Sequence, residues 1–157
     1  MPTCFFIGHR EALDSLLPQL SAAVEHHITE LGVTDFVVGS YGWFDSMAAR
    51  TVRAAKKHHP EVTLTLLLHY HPYDRPIPTP DGFDSTFYPP GMETVPKRAA
   101  IVRANRYMVE HSDYLISYAW HPASNARELT EYAKKREKKG LMQGNLDRKS
   151  VVKGKSV

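Results

Sequence analysis

Disulfide chemistry is the first thing this chain lacks: Cys4 is the one cysteine among 157 residues, so no internal bridge can staple the fold. A lone thiol suits a reducing compartment. Long apolar runs are missing as well, since none approaches the roughly 20 residues that span a bilayer. The opening MPTCFFIGHR lacks the basic-then-apolar order of a secretory signal. The expected location is therefore cytoplasmic, with no membrane partner.

Neither sign of charge dominates, with 20 Lys+Arg against 17 Asp+Glu. The net is only +3, yet the pI lies near 9.0 and invites a nucleic-acid reading. Locating the charge removes that invitation. Residues 1–133 carry eleven Lys+Arg against fifteen Asp+Glu, whereas 134–157 carry nine against two. The basicity belongs to a helix end and a tail, where lysines complement the helix dipole and stay solvated. Nucleic acid is accordingly not expected as a partner, and DNA binding through Lys134–Lys139 is the weakest of the readings.

Several chemical signatures are absent. There is no Walker loop, no GxGxxG, and no Ser-His-Asp or Cys-His arrangement. His69-Tyr-His71 has ligand-like spacing, but nothing completes a tetrahedral set, so no metal and no resident cofactor is expected. The pairs His26-His27 and His58-His59 read as structural, and Cys4 as a small core residue.

What is present is a clean alternation of strand and helix periods. Thr3–Ile7, Asp35–Val38, Val62–His69 and Asp113–Tyr118 are short apolar runs that read as buried strands. Between them, Leu17, Leu20, Val24, Ile28 and Leu31 recur at helical spacing, as do Phe44, Met47, Ala48, Val52 and Ala55. Ile101, Ala104, Met108 and Ser112 mark a third helix, and Ala126, Leu129, Tyr132 and Ala133 a fourth. A weak fifth strand is placed at Leu141–Leu146. This pattern predicts an α/β fold: one three-layer, Rossmann-like domain over 1–146, with a mostly parallel sheet of about five strands. The expected strand order is third, second, first, fourth, fifth.

Two segments break the pattern. Residues 71–96 hold seven of the eleven prolines and show neither a helical nor a strand period, which reads as a long lid-like loop. Residues 147–157 are polar, basic and unpatterned, and read as a disordered tail or an extension foreign to the domain.

In open parallel sheets, ligands bind beyond the carboxyl ends of the strands. Four segments of chemical interest fall at that edge. Gly8-His9-Arg10 follows the first strand, where Arg10 either grips an anion or is a surface arginine in a plain turn. Gly39, Ser40 and Gly42 join the second strand to a helix and form a candidate phosphate cradle of backbone N–H groups. Asp45, in that helix's first turn, caps it, holds a ribose hydroxyl or activates a water. On the third helix, Asn105 shares the inward stripe and needs partners, while Arg103 and Arg106 are one turn apart and are a candidate anion clamp. Ser124 or Asn125 opens the fourth helix as an N-cap, followed by Glu128 and, one turn on, Glu131, which are candidates for acid–base work.

Taken together, CFFIGHR (4–10), FVVGSYGWFDSMAA (36–49), KRAAIVRANRYMVEHSDYLI (97–116) and ELTEYAKKREKKG (128–140) resemble the SLOG superfamily, in its YpsA-like branch. Relatives there include the LOG phosphoribohydrolases and the DNA-uptake protein DprA. The resemblance implies a Rossmann-like fold that binds a nucleotide or nucleotide-derived small molecule at the strand edge, and a homodimer. It also implies an alternative: a LOG-like hydrolase that cleaves an N-glycosidic bond, with Glu131 or Asp45 as its catalytic carboxylate. Ser124-Asn125-Ala126 stands where the family places a Gly-Gly-Thr turn, and Glu131 where the LOG enzymes carry their glutamate.

Overall fold

The strand runs are apolar at successive positions because both faces of the sheet are covered. The computed structural model describes residues 2–8, 14–40, 42–69, 78–118 and 125–138. Within them lie β1 (Thr3–Gly8), α1 (Leu17–Thr29), β2 (Asp35–Val38), α2 (Trp43–Lys56) and β3 (Thr63–Leu67). These are followed by β4 (Ser85–Phe87), α3 (Ala100–His111), β5 (Tyr114–Tyr118) and α4 (Asn125–Lys138). Single 3-10 turns at Asp14–Leu16 and Lys97–Ala99 precede α1 and α3.

The five strands pair in the order β4-β3-β2-β1-β5, every pair parallel. Along β1 the side chains alternate. Cys4 and Phe6 enter one core with α1 and α2, whereas Phe5 and Ile7 enter a second core with α3 and α4. The result is the expected three-layer α/β domain. Among the described residues no helix is long and apolar enough to cross a membrane.

The order of the four longer strands matches the expectation from the sequence, and one further strand was not expected. The structure places it at Ser85–Phe87, on the β3 edge and inside the Pro-rich segment read as loop, while Leu141–Leu146 lies outside the described residues. Three residues are too few to show a period. What holds them is reciprocal bonding: Asp84 N–H donates to Leu64 O at 2.8 Å, and Leu64 N–H donates to Asp84 Oδ2 at 2.8 Å. The Lys56 ammonium closes on the same carboxylate at 2.6 Å.

His27, in the last turn of α1, is structural as expected. It is fully buried, donates Nδ1–H to Ala23 O at 2.7 Å, and meets the Tyr114 ring edge-on. Its partner in sequence, His26, stays exposed. His59 pairs with Glu25 at 2.9 Å and so ties the end of α2 to α1. Cys4 is a core thiol, and burial pushes its pKa up.

Candidate functional site

The chain leaves β1 toward α1 and β2 on one side of the sheet, and β5 pairs on the other side of β1. The strand order therefore reverses between β1 and β5, and a crevice beyond their carboxyl ends is the expected ligand position. Gly8 and Tyr118, the last residues of the two strands, are paired there.

The floor of this region is aromatic. Phe44, in the first turn of α2, stacks on Tyr118 at 5.9 Å between centroids, and Phe6 and Phe36 continue the cluster beneath. Gly8 permits the arrangement, because a Cβ there would sit 2.2 Å from Phe44 Cδ2. The missing side chain thus draws the start of α2 against the end of β1. At the N-cap of α2, Gly42 has φ 124°, a conformation that L side chains rarely adopt. The turn from β2 into α2 consequently depends on glycine at this position.

Asp45 stands in the first turn of α2, with its Oδ2 3.0 Å from the position a Gly39 Cβ would occupy. A side chain at Gly39 would crowd the carboxyl. Loss of water around that carboxyl raises its pKa to about 7. Gly39, Gly42 and Asp45 therefore meet beyond the end of β2, beside the Gly8–Tyr118 pair. Ser40 is exposed on the same turn. His9, Arg10 and Ser124 lie outside the described residues, as does the side chain of Asn125.

The remaining candidates go elsewhere. Asp45 is on α2, in the layer with α1, whereas Arg103, Asn105, Arg106, Glu128 and Glu131 are on α3 and α4, across the sheet. Asn105 is only partly buried; the inward positions of α3 are Ala100, Ala104, Met108 and Val109. A helical stripe is wide, and Asn105 falls on its flank. The Arg106 guanidinium lies 4.3 Å from the Tyr132 ring centroid and 3.5 Å from the Glu110 carboxylate. Tyr132 in turn donates its hydroxyl proton to Glu110 at 2.7 Å, which holds that carboxyl below its usual pKa. Arg106 thus ties α3 to α4. Together with exposed Arg103 it lines an open cleft of about 550 Å³ along α3, with Pro89 and Pro90 also in its wall.

Glu131 belongs to a surface ladder on α4. It accepts from Arg127 Nε at 3.0 Å and faces Lys134 at 3.6 Å. Partial burial would raise its pKa, but these two cations outweigh that and hold it below the usual value. Glu128 is exposed. A buried hydrogen bond of 2.7 Å between Ser117 and Thr130 fixes α4 on β5, which brings Asn125 to the carboxyl edge. The Lys134–Lys139 run is not a free basic strip over its described part, since Lys134 faces Glu131 and Arg136 donates to Glu110 O.

Two participants were not singled out from the sequence, Asp14 and Tyr118. The indole Nε1–H of Trp43 donates to Asp14 Oδ1 at 3.2 Å, spanning from α2 to the segment that follows β1. Only Trp43's position off the apolar stripe of α2 hinted at this. Among the described residues, no three His, Cys, Asp or Glu side chains gather into a set that could hold a metal ion.

Fold and edge geometry define a three-layer α/β protein with an all-parallel, Rossmann-like sheet. The sequence matches no family model and no curated protein.

Proposed function

We propose that this chain is a cytoplasmic binding or sensing module for a nucleotide or nucleotide-derived small molecule, held at the carboxyl edge of the sheet. The observation that carries the reading is the convergence of Gly39, Gly42 and Asp45 on the N-terminus of α2, next to the paired ends of β1 and β5. Backbone N–H groups and the positive end of a 14-residue helix suit a phosphate, and a carboxyl in the first turn suits a ribose hydroxyl. The resemblance to the YpsA-like branch of the SLOG superfamily supports the same ligand class. Arg10, Ser124 and Asn125 are assigned to this site by sequence position. Calorimetry against nucleoside monophosphates and ADP-ribose derivatives tests the reading. Binding that Asp45→Ala weakens about tenfold or more is expected, by the worth of charged or buried hydrogen bonds. Absence of binding at millimolar ligand by the folded protein overturns it.

A second reading is favoured by one property of Asp45, its pKa near 7. A carboxyl poised at that value suits proton transfer at neutral pH, as LOG-like cleavage of an N-glycosidic bond requires. Asp45 rather than Glu131 is then the catalytic carboxylate, because Glu131 lies on α4, across the sheet from Asp45, with Arg127 and Lys134 engaging its carboxylate. Release of free base from a nucleoside monophosphate, lost in Asp45→Asn and kept in Glu131→Gln, is the expected result. Equal background release from all three proteins rejects it.

A further inference from the structure

Trp43 is one of two exposed large hydrophobic residues among those described, with 47% of its surface in solvent. It begins α2, directly after Gly42 and two positions before Asp45. Phe44, Met47, Ala48 and Val52 turn inward, so the helix needs no aromatic at 43 for its own packing. Yet the ring is not a loose surface side chain. Its Nε1–H is bound to Asp14, at the start of the 3-10 turn that leads into α1. The indole therefore bridges the two segments that frame the edge site.

An indole has one polar atom, and here Asp14 occupies it. What Trp43 can still offer a ligand is its ring face and edge, with no hydrogen-bond donor left to read a base. Base–aromatic stacking is sequence-tolerant because every base has a π-face. Purines cover more of an indole than pyrimidines do. Phosphate and ribose recognition then falls to Gly39, Gly42 and Asp45, around the same helix N-terminus, with Asp45 two positions further along α2.

We propose that Trp43 is the stacking platform for the ligand's base, and that the site selects for phosphate and ribose while discriminating little among purines. This inference rests on the nucleotide reading given above.

The test is calorimetry of the full chain and its Trp43→Leu and Trp43→Phe variants with AMP, GMP, UMP and ribose 5-phosphate. An exposed position keeps both variants folded, and circular dichroism checks that they are. Wild type is expected to bind AMP and GMP within about threefold of each other, UMP more weakly, and ribose 5-phosphate about tenfold more weakly than AMP. Trp43→Leu should lower AMP affinity to that of ribose 5-phosphate and leave ribose 5-phosphate unchanged. Trp43→Phe, which keeps a ring face without the N–H, should recover most of the loss. Equal AMP affinity in wild type and Trp43→Leu overturns the platform while leaving the nucleotide reading intact, and so does AMP binding no tighter than ribose 5-phosphate. A preference of more than about tenfold between AMP and GMP overturns the base-permissive reading, since stacking alone does not supply it. Wild type that binds none of the four overturns the nucleotide reading and this inference together.

Discussion

Gly8 shows how one absent side chain shapes the site. A Cβ added there meets Phe44 at three atoms: Cδ2 at 2.2 Å, Cγ at 2.3 Å and Cβ at 2.8 Å. The last cannot be relieved by turning the ring, so the start of α2 itself must shift. Gly8→Ala is expected to cost about 1–3 kcal/mol in urea denaturation, as overpacking does. In a double variant with Phe44→Leu the loss should be smaller than the sum of the two single losses, and strict additivity would deny the contact. That a glycine follows β1 is legible in the sequence as punctuation. Its reason is not, because Phe44 lies 36 positions further along and reaches Gly8 only after the sheet has formed.

At the scale of elements, both edge strands begin with the same device. Asp113 N–H donates to Thr3 O at 2.9 Å while Thr3 N–H donates to Asp113 Oδ2 at 2.9 Å, which starts β5 on β1. Asp84 does the same with Leu64 to start β4 on β3. The Asp84 carboxyl is held below its usual pKa first by Lys56 and then by the Leu64 N–H. A three-residue strand has little else, although Arg53 helps by lying over the Phe83 ring at 5.9 Å. Asp84→Ala is therefore expected to speed amide exchange across β4 and Leu68 selectively, with a global loss of only about 1 kcal/mol. Unchanged exchange there would show that other contacts hold the strand. The four helices and four longer strands were legible because each spans several periods of 3.6 or 2 residues. β4 was not, since its cause is a side-chain bond between positions 64 and 84.

At the scale of the whole molecule, two buried groups oppose each other in pH. Between 3.8 and about 7 the folded chain keeps a proton on Asp45 that the unfolded chain has released, so stability falls as pH rises through that window. The full span amounts to about 4 kcal/mol. His27 acts in the other sense: burial lowers its pKa from 6.5, so below 6.5 the unfolded chain binds the proton first and stability falls as pH falls. Stability of Asp45→Asn should therefore decline as pH falls below 6.5 toward pH 5, and that of His27→Leu should rise as pH falls from about 7 to pH 5. Urea midpoints at half-unit intervals read both slopes. Wild-type-like profiles in the two variants would remove this assignment.

The residues in chain order dictate the kinds of element and the succession in which they occur. Both follow from local periodicity and from glycines placed directly after strands. Folding set which strands are neighbours and which candidates meet. It set Asp45 against Gly39, placed Arg106 on Tyr132 and Glu110 across the sheet, and paired Glu131 with Arg127 and Lys134. It likewise sealed His27 from water and hung β4 on Asp84. Range separates the two. A period is written in neighbouring residues, whereas a carboxyl's partner, and hence its charge, depends on which face of a finished sheet carries it.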